Sequence, residues 1–414
     1  MSIDSNPHSA PIPSGFDGPR TSLYTEEYAA DPHRAHREML HRFGSLAPVE
    51  LAPGVPATLV VGYHAAVRIL NDPDRFTSDP RGWEQNIPAG CPVRPMMEWY
   101  PNPLHSGGLE HLRYRSATAG ALGKVDLHRL HGTIEQIATP LINDFCADGQ
   151  CDVVGQYALP LAFATLNAIL GCPADIGERA AVGMAAIFDT VGAADGNQML
   201  LEALAELTRI KRIGPTEDVT SWLVEHSAHL DDEEMVCHLA LLYAAGIEPT
   251  QNLIVNTLLL MLTDDRFAGN VLDGSLSTRD ALDEVLFNNP PLANYCIRYP
   301  RQPVLVDEVW LPAHQPVLIS MTACNNDPAV RTGNITDNRS HLAFGTGPHA
   351  CPARPMTMLI VQNALDQLLD ALPDLALSVP KEELLWRPGP FHRSLVSLPV
   401  TFPPSAPIQG VGIR

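Results

Sequence analysis

The chain predicts a mainly α-helical fold with a small β portion, and three features carry that reading. From Glu110 to about residue 245 apolar residues recur at helical spacing, interrupted at Gly149-Gln150, Gly171-Cys172-Pro173 and Gly214-Pro215. Met235 to Leu262 forms the longest apolar helical run. Strand-like runs are few and short: Pro48 to Leu51 and Thr58 to Val61 flank Pro53-Gly54 as a hairpin, and others lie near Pro290-Pro291 and over Val304 to Val317.

Further elements follow in order. Asp31-Pro32 opens and Gly44 closes a short amphipathic helix, because aspartate caps and proline suits the first turn. His64 to Leu70 is again helical, and residues 77–108, rich in Pro, Gly and Trp, form an irregular loop. Asn325 to Ser340 is polar coil, Met356 to Leu369 is a helix-compatible run, and Leu395 to Val400 is a closing strand. No linker, repeat or charge block divides residues 26–414, which form one domain behind a disordered tail, residues 1–25.

A net charge of −20 argues against a general nucleic-acid binder, which needs a basic footprint. Eight dispersed cysteines without a CxxC pair favour a reducing cytoplasm. The N-terminus lacks the basic and apolar regions of a signal peptide, and no stretch of about 18 apolar residues occurs. A cytoplasmic chain with a small-molecule substrate, no nucleic acid and no membrane is expected.

The most informative segment is Phe344-Gly345-Thr346-Gly347-Pro348-His349-Ala350-Cys351, a bent loop ending in a thiol just before an apolar helix. Such a loop can fix one thiolate, shielded from water and backed by helix-terminal N–H groups, as an axial ligand to haem iron requires. Upstream, His111 and Arg115 stand four apart and share a helix face; alone, that pair fits a solvated surface. Within the long helix lies Ala245-Gly246-Ile247-Glu248-Pro249-Thr250.

With these blocks in this order, the chain from about residue 31 resembles the cytochrome P450 superfamily in its soluble bacterial form. The resemblance implies the cytochrome P450 fold, with haem between the long central helix and the cysteine-loop helix. It implies heme b (iron protoporphyrin IX), with Cys351 as the iron ligand. Ala245, Phe344, Gly345 and Gly347 would lie against the cofactor, and His111, Arg115, Arg298 and His349 would face its propionates. Over the distal face it implies Gly246 as room for dioxygen, with Glu248 and Thr250 supplying protons. Ala323 to Pro328 matches the segment leading into the coil, and Arg339 that coil's arginine.

Four positions depart from the pattern. Pro249 replaces the oxygen-activating threonine and removes an N–H bond to Ala245, which bends the helix. Glu284-Val285-Leu286-Phe287 lacks the arginine of the E-x-x-R element; Glu284 is expected to pair with Arg339 while Phe287 fills volume. Pro352 withholds one N–H from the cysteine sulfur. Met358 stands where an arginine is common.

The expected activity is oxidation of a small organic compound of specialised metabolism, using dioxygen and two electrons from a ferredoxin and ferredoxin reductase. The substrate is expected to be aromatic or peptide-derived, resembling a cyclodipeptide, and the outcome hydroxylation or radical C–C/C–N coupling. Trp83, Trp99 and Tyr100 motivate the coupling. Substrate contacts are expected from residues 82–100, 176–215, 292–295 and 394–396. Loss of both the threonine and the arginine leaves two alternatives open: a non-catalytic haem protein (a sensor or partner subunit) and a peroxide-driven oxidase.

Overall fold

The computed structural model describes residues 19–85, 87, 90–188, 193–267, 276–331 and 340–408. Strands Leu46–Ala52 and Val55–Val60 pair antiparallel around Pro53-Gly54, with Gly54 at φ 75°. A glycine accepts that left-handed turn position without a Cβ penalty. Thr58 to Val60 then pairs in parallel with Val317–Ser320, which pairs antiparallel with Asn294–Pro300. A register shift between Tyr295 and Arg298, with Cys296 at φ 51°, bends this last strand and re-aims the side chains beyond it. Phe76–Thr77 completes that side of the six-stranded sheet.

Thr21–Ser22 forms the opposite edge, parallel to Val49-Glu50, and Leu23 is fully buried. The tail expected to extend to residue 25 is therefore already part of the sheet by residue 21; residues 1–18 lie outside the described residues. The irregular loop over 77–108 also contains two short helices, Arg81–Glu84 and Arg94–Met97. Trp83 is buried there, its ring 6.0 Å from Tyr299. The closing strand is Pro399–Thr401, shorter and later than expected, because Leu395 instead bridges Trp386.

The helical part is organised around Asp232–Thr263, which packs against Leu159–Leu170, Thr278–Asn288 and Arg354–Ala371. One acid starts this helix and locates its neighbour. Asp231 accepts from Glu234 N–H at 2.9 Å and Glu234 Oε2 accepts from Asp231 N–H at 3.0 Å, a reciprocal cap. The same Glu234 carboxylate accepts both guanidinium nitrogens of Arg113 at 2.6 Å and the Tyr114 hydroxyl at 2.9 Å. Helix Gly108–Leu122 is thereby fixed against the start of the long helix. No helix among the described residues is long and apolar enough to cross a membrane.

The Arg113 guanidinium, the Asp231 N–H and the Tyr114 hydroxyl lower the Glu234 carboxyl from 4.5 to about 2. A depressed acid stabilises the fold fully above its unfolded value and loses that contribution as pH falls through the folded one. Glu234→Gln should therefore cost about 1–2 kcal/mol at pH 7, discounted because Arg113 is partly exposed. The deficit against wild type should shrink as urea titrations move from pH 5 towards pH 2; a constant deficit would refute the assignment.

Candidate active site

Two glycines shape the cysteine loop. Gly345 (φ 67°) and Gly347 (φ 73°) take left-handed conformations, and a Cβ on Gly347 would sit 2.5 Å from the Leu70 carbonyl oxygen. A Cβ on Gly345 would meet Cys296 Sγ at 3.3 Å. The loop closes through Gly345 N–H to Leu342 O at 2.7 Å and Cys351 N–H to Phe344 O at 2.8 Å. Of the eight cysteines, all free, Cys351 alone is exposed. Desolvation raises its thiol pKa, while the Ala353 N–H, the Arg115 charge and the Arg354 N–H favour the thiolate. Pro352 contributes no N–H, as its chemistry requires, yet the sulfur keeps two backbone donors.

Basic side chains converge beside the loop. His111 and His349 stack with ring centroids 3.8 Å apart, and the His349 ring donates from Nε2 to the Ser106 carbonyl at 3.2 Å. Arg115 Nη2 binds the Ala350 carbonyl. Arg298 is buried and donates to the neighbouring Ile297 carbonyl at 2.9 Å. Burial, then the charges of Arg298 and His111, push His349 down to about 2. Burial, then Arg115 and Arg298, push His111 down to about 4, and its buried Nε2 has no hydrogen-bond partner among the described residues. Both imidazoles are thus neutral donors or acceptors beside two guanidinium ions.

Behind the loop, Glu284 Oε1 accepts from Arg266 Nη2 at 2.8 Å. Arg339, the partner expected of it, lies outside the described residues. Phe287 does fill space: its ring meets His341 edge-on at 5.4 Å, and His341 lies 5.9 Å from Phe344. Asn325, which sequence reasoning placed only within a leading segment, is the local keystone. Its amide nitrogen donates to Leu286 O at 3.0 Å and Phe287 O at 3.3 Å, while its oxygen accepts from Leu342 N–H at 2.7 Å. Met358 is buried in the core, where an arginine would need a partner.

On the long helix, Ala244 and Ala245 are exposed, and the helix runs unbroken through Pro249. A Cβ on Gly246 would lie 3.2 Å from Leu166 Cδ2, so this glycine permits the close approach of helix Leu159–Leu170. Thr250 is buried on a neighbouring face, about 100° round from Pro249. Glu248 is no free acid: Arg387 contacts its Oε1, and His392 Nε2 stands 3.5 Å from Oε2. Nothing in local sequence signals those partners, which lie more than a hundred residues away on the C-terminal hairpin.

Asn325→Ala removes three buried hydrogen bonds and leaves two carbonyls and one N–H without that partner, so it should cost about 2–4 kcal/mol in urea unfolding. Asn325→Asp keeps the acceptor for Leu342 N–H but sets a buried carboxylate oxygen against the Leu286 and Phe287 carbonyls, and should cost at least as much. Equal stability of Asn325→Ala and wild type would remove the keystone role.

No protein-family model matches the chain. It is 30% identical over 392 residues to cytochrome P450 monooxygenase PikC of Streptomyces venezuelae, covering 91% of this chain and 92% of the relative. It is 26% identical over 385 residues to the polyketide biosynthesis cytochrome P450 PksS of Bacillus subtilis, covering 88% and 92%. Among solved structures, testerone-bound CYP154C4 from Streptomyces sp. ATCC 11861 superposes with a TM-score of 0.84 at 27% identity, covering 95% of this chain and all of that one. With the thiol loop, the basic cluster and the long helix in one fold, the chain belongs to the cytochrome P450 family of haem monooxygenases.

Proposed function

We propose that this enzyme inserts oxygen into a small organic natural product, drawing two electrons from a ferredoxin and its reductase in the cytoplasm. The observation that carries the reading is the exposed Cys351 thiol beside Arg115, Arg298, His111 and His349, with no carboxylate bonded to any of them among the described residues. Heme b fits that set. The buried Arg298 guanidinium, whose side-chain bond goes to its neighbour's carbonyl, and the orphan Nε2 of His111 suit a flat group carrying two carboxylates. Arg115, Arg298, His111 and His349 would hold the carboxylates, and Cys351 the iron.

When bound, haem supplies an iron centre that activates dioxygen, with electron density from the thiolate. The protein's share is proton control and orientation. Burial raises the Cys351 thiol, and the Ala353 and Arg354 N–H groups, with Arg115, offset part of that rise. Pro249 offers no hydroxyl and Thr250 is packed away, so Glu248 is the acid on this turn that carries protons.

The relative named for polyketide biosynthesis supports a natural-product substrate. We assign hydroxylation ahead of radical coupling, because Trp83, part of the aromatic set that favours coupling, is packed against Tyr299. Aromatic cyclodipeptides and polyketide lactones are the two substrate classes to compare.

Dithionite-reduced protein with carbon monoxide should give the strongly red-shifted Soret band of thiolate ligation, and Cys351→Ser should abolish it. A substrate should move the ferric protein towards high spin. A histidine-type band in freshly made wild type would overturn the assignment of Cys351.

A further inference from the structure

Glu248 is held by a hairpin that is itself fastened along the long helix. The hairpin turns back at Pro388-Gly389-Pro390: Val396 N–H donates to Leu385 O at 2.9 Å and Arg387 N–H to Ser394 O at 2.8 Å. Its second strand is tied to the helix by Asn256 Nδ2 to Arg393 O at 2.9 Å and Ser394 Oγ to Asn252 Oδ1 at 2.8 Å. Arg393 N–H to Pro291 O at 3.0 Å and a bridge between His392 and Leu292 anchor its other side. Residues 248, 252 and 256 follow one another at four-residue intervals and so share a helix face. The hairpin therefore lies along that face, and its turn ends at the acid.

At the turn, both carboxylate oxygens are engaged. Arg387 pairs with Oε1, and His392 Nε2 approaches Oε2 at 3.5 Å. We propose that Arg387 and His392 are positioning residues for Glu248, so that the hairpin sets where protons are delivered in an enzyme with no hydroxyl at position 249. This rests on the reading that Glu248 carries the proton.

The two contacts do different work. Glutamate has three rotatable side-chain bonds, and holding one oxygen alone leaves the carboxylate plane free to turn; engaging both fixes it. Arg387 is 43% exposed, so its attraction is moderated by water and the pair can open and reclose during a cycle. Burial, reinforced by Arg387, pushes His392 down to about 3, so its ring stays neutral and does not compete as a second cation. Neither residue contacts the cysteine loop through any interaction described above, which separates their effect from haem ligation.

The test uses haem-loaded protein with Glu248→Gln, Arg387→Ala, Arg387→Lys and His392→Phe. One readout is the infrared C–O stretch of the reduced carbon monoxide complex, which senses polar groups on the distal side. The other is the fraction of electrons released as hydrogen peroxide, with a plant-type ferredoxin and its reductase as surrogate donors. Arg387→Ala should shift the stretch in the same direction as Glu248→Gln and raise peroxide release by about tenfold, less than the roughly 10²-fold or more that a proton-transfer group itself supplies. His392→Phe should act in the same sense, and Arg387→Lys should stay nearer wild type. Combining Arg387→Ala with Glu248→Gln should add little to Glu248→Gln alone. If Glu248→Gln acts while Arg387→Ala and His392→Phe match wild type, or if the effects add in full, the positioning role is wrong. If Glu248→Gln itself changes neither readout, the assignment of Glu248 fails first.

Discussion

The hydrogen bond from Cys351 N–H to the Phe344 carbonyl closes the loop on which the rest of the site depends. It is short-range, but it exists only because Gly345 and Gly347 accept left-handed backbone angles. Gly347 also passes so close to the Leu70 carbonyl that any side chain would collide with it. The sheet side of the molecule, through Tyr63–Leu70, therefore limits how the loop can lie. The loop in turn presents the Ala350 carbonyl to Arg115 and the His349 ring to His111. Helix Gly108–Leu122 is held to this place by Glu234, the same acid that starts the long helix. A single carboxylate thus links the basic cluster to the helix that carries Glu248.

Behind the cysteine loop, packing and one amide stand beside a half-exposed ion pair. Glu284 pairs with Arg266, which also pairs with Asp264 at 2.6 Å. The space behind the loop is filled by Phe287, His341 and Phe344 in edge-on and tilted contacts. The amide of Asn325 supplies the directional bonds. Desolvating two ions commonly costs as much as their attraction returns, so aromatic packing plus a satisfied amide can replace them without penalty. Burial pushes His341 down to about 4, which suits an uncharged member of such a stack.

The fold was legible wherever a local rule fixes the backbone. Asp31 and Gly44 do bound helix Pro32–Phe43, Pro53-Gly54 does turn the hairpin, and the run from Met235 to Leu262 lies within Asp232–Thr263. The cysteine loop could be read because its chemistry and its glycines are contiguous. What could not be read depends on contacts between distant segments. The nearness of Leu166 to Gly246 is one such contact. Glu248 looks like a free acid until the hairpin brings Arg387 and His392 beside it. Helical periodicity does limit Thr250 to a face about 100° from Pro249, but only packing shows that this face is the buried one.

The basic cluster also bears on how the protein is held together. Arg298 is buried with a single side-chain bond to a main-chain carbonyl, and burial lowers its pKa, as it does for Arg115. A guanidinium withdrawn from water without a counter-charge is destabilising on its own. Burial, reinforced by these charges, depresses His111 and His349, so the imidazoles stay neutral and add no further positive charge. A bound anion that meets both guanidinium groups offsets this cost and gains the orphan Nε2 of His111 as a further partner. Any group that binds the folded chain and not the unfolded one adds to stability by mass action. On the haem assignment proposed above, the cofactor's carboxylates would offset that cost.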